Sequence, residues 1–128
     1  KRMQLPIAVI ALDVDHFITY NDNYGHPAGD QVLQQLAKVM LEMTNRAGEF
    51  AARMGGEEFV LFYPTVNRTA ALELAEELRM KVLGLKIPHE KSLTAEYVTV
   101  SIGVISCVPE WELEFDTSLK AADDTLSQ

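Results

Sequence analysis

A single cysteine, Cys107, leaves this chain without any internal disulfide and suits a reducing compartment such as the cytoplasm. No apolar stretch is long enough to span a bilayer, and no signal-peptide pattern opens the chain. Basic residues are scarce: 11 Lys and Arg stand against 19 Asp and Glu, a formal net charge of −8. That balance excludes a general nucleic-acid binder, which needs a basic face. It also repels polyphosphates, so a nucleotide ligand would need bound cations and a few local bases. Repeats, low-complexity tracts and linkers are absent too, and 128 residues fit one domain with one core.

Against these absences stands a concentrated acidic feature. Gly55-Gly56-Glu57-Glu58-Phe59 lies between two apolar, strand-like runs, Phe50-Ala51-Ala52-Arg53-Met54 and Phe59-Val60-Leu61-Phe62-Tyr63. Two glycines between such runs signal a hairpin, because they accept the backbone angles of a tight turn. The turn would set two carboxylates beside bare backbone that a ligand can approach. Upstream, Ile7-Ala8-Val9-Ile10-Ala11-Leu12 reads as a buried strand that ends in Asp13-Val14-Asp15. Alternation places Asp13 and Asp15 on one face. A carboxylate at the end of a buried strand is costly without a partner. If this strand lies beside the hairpin, Asp13, Glu57 and Glu58 converge, and three carboxylates together call for a cation. Oxygen-only ligands favour Mg²⁺ or Mn²⁺ over Zn²⁺, and two such ions bridging phosphate oxygens suit nucleotidyl transfer. The competing reading of Asp13 is a strand-end residue that caps the following helix.

Hydrophobic periodicity predicts a short helix over residues 17–23 and a longer one over 27–44, with Val32, Leu33, Leu36, Val39, Met40 and Met43 on one face. A third helix is predicted over 67–83, capped by Asn67 and stopped at Gly84, with Ala71, Leu74, Ala75, Leu78 and Val82 inward. Residues 97–106 are β-rich, and Asp116 opens a predicted last helix through 127. Strand, helices, hairpin, helix, strand and helix make an α+β fold with a mostly antiparallel central sheet flanked by helices.

Asp13-Val14-Asp15-His16-Phe17, Asn21-Asp22, Tyr24-Gly25-His26, Gly29-Asp30, the Gly55–Phe59 block and Val98-Thr99-Val100-Ser101-Ile102-Gly103-Val104 together resemble the GGDEF family, over nearly the whole chain in order and spacing. That family comprises the diguanylate cyclases, which make cyclic di-GMP from two GTP. The resemblance implies the palm-like fold of nucleotidyl cyclases and a single domain over residues 1–128. It implies two Mg²⁺ or Mn²⁺ ions per site, held by Asp13, the Val14 carbonyl and Glu57. Glu58 would activate the attacking 3′-hydroxyl, as a base or through the metal. Backbone N–H groups of residues 14–18, Phe17 among them, would face the phosphates, near the open backbone of Gly55 and Gly56. Asn21 and Asp30 match the guanine-reading pair: a carboxylate accepts N1–H and N2–H₂ together, which adenine cannot offer. Asp30 equally suits the first turn of a helix. His26 lies between them, as a nucleotide contact or a structural histidine. Asp15 is expected to hold the strand–helix turn. His16 and His89 have no ligand spacing and receive no role.

The chain departs from the family pattern in places. Ile18 stands where a lysine is common, and loss of that ammonium should weaken GTP binding by roughly 1–3 kcal/mol. The inhibitory product site, Arg-x-x-Asp, reads Arg46-Ala47-Gly48-Glu49 here, so Arg46 and Glu49 are either a product site with altered reach or a solvated pair. Arg53 reads as a phosphate or product contact, or as a structural ion pair. Both ends look cut relative to the family, and an attached sensory domain is expected in the full protein, which would be cytoplasmic or the cytoplasmic part of a membrane-attached chain. The expected activity is diguanylate cyclase on a homodimer. The alternative is a catalytically silent GGDEF domain that binds GTP or cyclic di-GMP and signals to a partner.

Overall fold

Ala8, Val9, Ile10, Ala11 and Leu12 are all buried, which is why the first strand lacks polar alternation. In the computed structural model, which describes residues 5–108, β1 (Ile7–Val14) is central. It pairs on one side with β3 (Glu58–Tyr63) and on the other with β4 (Val100–Cys107). β2 (Phe50–Gly55) completes a four-stranded sheet of order β2-β3-β1-β4, and every neighbouring pair is antiparallel.

Three helices accompany the sheet: α1 (Phe17–Tyr24), α2 (His26–Glu42) and α3 (Arg68–Gly84). The core joins Ala8, Ile10, Leu12 and Val14 of β1 to Leu61 and Tyr63 of β3, Leu36 and Met40 of α2, and Leu78 and Val82 of α3. The apolar stripes expected on α2 and α3 are therefore the buried ones, although Met43 and Leu74 are only half-buried.

The helix ends differ in detail from the sequence expectation. α2 stops at Glu42, where the Thr44 hydroxyl donates to the Met40 carbonyl (2.8 Å) and the Tyr63 hydroxyl donates to the Met43 carbonyl (2.8 Å). These bonds satisfy end carbonyls that another turn of helix would have used. Asn67 caps α3 as expected, its side chain accepting from the Ala70 N–H at 2.9 Å. α3 runs through Gly84, and Lys86, at φ 51°, takes the left-handed conformation expected of that glycine. The expected β run over 97–106 pairs only from Val100 onward. Tyr97 instead bridges to Pro88, and the Val98 N–H donates to Ile87 O (2.8 Å), folding residues 86–99 back on themselves. The helix expected over 116–127 lies outside the described residues. Among the described residues, no helix is long and apolar enough to cross a membrane.

Candidate functional site

The β1–β3 register sets Asp13 directly opposite Glu58, and the β1–β4 register sets it opposite Ser101. The Val14 N–H donates to the Glu57 carbonyl at 3.2 Å, tying the hairpin turn to the end of β1. Gly56 needs its glycine, because φ there is 50°. A Cβ built on Gly55 or Gly56 would meet nothing within 4 Å, so this backbone is open to a ligand. The register shifts between Arg53 and Gly55, and Arg53 Nε donates to the Gly56 carbonyl at 2.8 Å. The guanidinium thus braces its own turn.

Asp13 carries the strongest electrostatic signal. Its Oδ1 is buried and has no hydrogen-bond partner among the described residues. Burial, followed by the charges of Glu57, Glu58 and Asp15, pushes its pKa up from 3.8 to about 6. An all-oxygen donor set with one orphaned, repelled carboxylate oxygen fits a hard divalent cation. Among the described residues, however, no three such side chains are gathered into a ready-made cage.

The turn from β1 into α1 is braced by Thr99, just before β4, and by Ser101 within it. The Asp15 carboxylate accepts from Thr99 Oγ1 (2.7 Å) and Ser101 Oγ (2.6 Å), while its N–H donates to Thr99 O (3.0 Å). That is the holding role expected of Asp15, although Thr99 and Ser101 were not foreseen as its partners. His16 follows with φ 54° and ψ 40°, and no side chain caps the N-terminus of α1. Ile18 is 72% exposed just inside that helix.

Asn21 and Gly29 form a second close-packed pair. The Asn21 Oδ1 is buried without a hydrogen-bond partner among the described residues. A Cβ at Gly29 would lie 1.8 Å from that oxygen and 3.2 Å from Phe17 Cζ, so only glycine admits this placement. Phe17 is itself buried and packs parallel to Tyr20, with ring centroids 6.3 Å apart. Asp30 is exposed and lines a cavity of about 450 Å³ between α2 and the hairpin, together with Leu33, Ala51, Arg53 and Phe59. Asn21 does not line that cavity. His26, exposed at the start of α2, makes no side-chain hydrogen bond among the described residues.

Arg46 and Glu49 lie apart from this group. Glu49 Oε1 accepts from the Arg46 backbone N–H (3.2 Å), so the carboxylate caps its own turn. Both residues line a separate cavity of about 380 Å³ with Tyr63, Glu73, Glu77 and Lys81. Two participants near the main site went unforeseen. Gly29 stands in the Gly29-Asp30 motif with no packing role expected of it, and buried His89 has no ligand spacing.

An antiparallel sheet that ends in three carboxylates beside an uncapped helix start is an architecture with many relatives. The family model for "Diguanylate cyclase, GGDEF domain" matches residues 1–128. The chain belongs to the GGDEF family. Diguanylate cyclase A of Treponema denticola is 39% identical over 104 residues, covering 78% of this chain and 26% of that protein. The GGDEF domain of DgcB from Caulobacter crescentus, solved in complex with c-di-GMP, superposes with a TM-score of 0.79 at 32% identity, over 94% of this chain and 67% of that one. The active GGEEF domain of a diguanylate cyclase from Vibrio cholerae gives a TM-score of 0.71 at 28% identity, over 94% and 76%. The chain spans about a quarter of the length of the curated relatives it matches.

Proposed function

We propose that this single GGDEF domain condenses two GTP molecules into cyclic di-GMP, as half of a homodimer. The observation that carries this reading is the orphaned Asp13 Oδ1, set opposite Glu58 at the open end of β1. In this reading Asp13, the Val14 carbonyl and Glu57 hold two Mg²⁺ or Mn²⁺ ions. When bound, the ions offset charge on the triphosphate and ease ionisation of the 3′-hydroxyl. Glu58 accepts the 3′-hydroxyl proton. The freed oxygen attacks the α-phosphorus of the GTP on the facing subunit, and pyrophosphate leaves. The same exchange in the opposite sense closes the ring and releases the second pyrophosphate, so a symmetric dimer is a requirement of the chemistry.

Asn21 and Asp30 read guanine. The exposed Asp30 carboxylate supplies paired acceptors, and the Asn21 amide, packed against Phe17 and Gly29, supplies the contact on the remaining edge. His26 flanks the base. The N–H groups of residues 14–18 and the open backbone at Gly55 and Gly56 receive the phosphates. The Vibrio cholerae relative, an active domain whose motif also reads GGEEF, supports activity with Glu57 at the third motif position. A cytoplasmic location, an attached sensory domain in the full protein, and product binding at Arg46 and Glu49 belong to the same reading.

A receptor that binds GTP or cyclic di-GMP without turnover is the second reading, favoured by Ile18 in place of a basic residue. Both readings require guanine recognition. Mg²⁺–GTP is expected to raise the melting temperature where Mg²⁺–ATP does not, and Asp30→Ala should narrow that difference by about tenfold in affinity ratio. Equal stabilisation by ATP and GTP would remove the guanine assignment.

A further inference from the structure

His89 is 1% exposed, buried at a place where the proposed reaction gives it no part. Its Nε2 lies 3.0 Å from the His16 carbonyl, across 73 residues of sequence. A carbonyl can only accept, so Nε2 carries the hydrogen. The ring is held edge-on against Tyr20 (centroids 5.1 Å apart, interplanar angle 87°) and Tyr24 (6.4 Å, 73°). Its own backbone is pinned too: the His89 N–H donates to Glu96 O (2.8 Å), and the Glu90 N–H donates to the Tyr24 hydroxyl (3.1 Å).

The other ring nitrogen, Nδ1, is buried with no partner in the described structure. An unsatisfied buried nitrogen lowers stability, and an apolar side chain of similar size would pack there without that cost. Stability alone does not account for a histidine at this position. Its one hydrogen bond does, because of where the bond ends. His16 sits in the left-handed region at φ 54°, which is uncommon for a residue with a side chain. The His16 carbonyl also receives the Tyr20 N–H (3.0 Å), the bond that opens α1. The His16 ring reaches the same segment as His89, with Nε2 2.8 Å from Thr94 Oγ1. Residues 86–99 thus grip this turn by both its main chain and its side chain.

We propose that His89 is a positioning residue for the triphosphate: by donating to the His16 carbonyl it holds the β1–α1 turn in the shape that aims the Phe17 and Ile18 N–H groups at the phosphates. This rests on reading that turn as the phosphate-binding end of a GTP site, and it gives the buried histidine a function through the backbone it fixes. With no lysine at position 18, the backbone donors of this turn carry a larger share of phosphate recognition.

The test compares His89→Leu, which fills the space without a donor, and His89→Gln, whose side-chain nitrogen can still donate. Calorimetric titration of the full chain with Mg²⁺–GTP and with guanosine separates phosphate from base recognition. Amide chemical shifts of Phe17 and Ile18, with hydrogen-exchange protection at Tyr20, report the turn itself without ligand. His89→Leu should weaken Mg²⁺–GTP by about tenfold, leave guanosine within about twofold, shift both amides and reduce Tyr20 protection. His89→Gln should restore GTP binding to within about threefold. Unchanged GTP affinity in His89→Leu, equal losses for GTP and guanosine, or no recovery with glutamine would each overturn the proposal. A wild-type chain that binds guanosine but not Mg²⁺–GTP would overturn the phosphate-site reading and this inference with it. Normal wild-type binding beside an unaffected leucine variant would overturn this inference alone.

Discussion

Asp13→Asn is expected to remove Mg²⁺-dependent turnover of GTP while raising the melting temperature of the metal-free protein at pH 7. The two effects share one cause. In the folded chain Asp13 has a pKa of about 6, raised from 3.8 first by burial and then by Glu57 and Glu58. Below about 3.8 both the folded and unfolded states are protonated, and the group has no effect on stability. Between 3.8 and about 6 the folded state retains a proton that the unfolded state has released, so stability falls as pH rises. Above 6 the full penalty of an ionised, crowded carboxylate remains. Asparagine carries no charge, so the variant should gain a few degrees at pH 7, on the scale of ~1 kcal/mol after solvent screening, and nothing at pH 3.5. The loss of the proposed metal ligand should cost ~1000-fold or more in turnover. In the wild type, stabilisation by Mg²⁺ should grow from pH 5 to pH 7, because the ion competes with the proton on Asp13. Scanning calorimetry across pH, with and without Mg²⁺, checks both signs. A variant less stable than wild type at pH 7 would contradict the crowding argument.

Gly29→Ala should run against helix propensity. Inside a helix the change ordinarily gains about 0.5–1 kcal/mol. Here the added Cβ would lie 1.8 Å from Asn21 Oδ1 and press on the Phe17 ring at 3.2 Å. Asn21 must swing away or α1 must shift on α2, and overpacking of this kind costs about 1–3 kcal/mol. GTP affinity should fall by roughly 10- to 100-fold, since Asn21 leaves the base edge it is proposed to read. Denaturant unfolding and GTP titration measure the two effects. Combining Gly29→Ala with Asn21→Ala removes the clash, so stability should return while GTP affinity does not. Recovery of both would show that Asn21 has no part in binding.

What could be read ahead of the structure was local and periodic. The unbroken apolar run of residues 7–12 and the glycine pair at 55–56 mark a buried strand and a hairpin, while their pairing, with Asp13 opposite Glu58, comes from the sheet register. The 3.6-residue stripes gave the inward faces of α2 and α3 for the same reason. Asp15 reads as a brace in the sequence, but its partners, Thr99 just before β4 and Ser101 within it, lie more than eighty positions away, and no spacing rule joins them. His89 was passed over on that ground as well: its meaning lies in one bond to a distant carbonyl. Gly29 shows no packing signal in the sequence, because the need for glycine there comes from Asn21 and Phe17 on the neighbouring helix. Thr44 and Lys86 moved two helix ends through side-chain and backbone bonding that composition does not reveal.

A chain with this acidic strand end and open glycine turn is expected to make the cyclic dinucleotide. The measurement is mass detection of product after incubation of the wild-type chain, and of Glu58→Ala, with GTP and Mg²⁺. Cyclic di-GMP and pyrophosphate in a one-to-two ratio from the wild type, with product lost in a Glu58→Ala variant that still binds GTP, is the expected result. A folded, dimeric wild-type chain that binds Mg²⁺–GTP yet forms no cyclic di-GMP would contradict the cyclase and leave the receptor reading in its place.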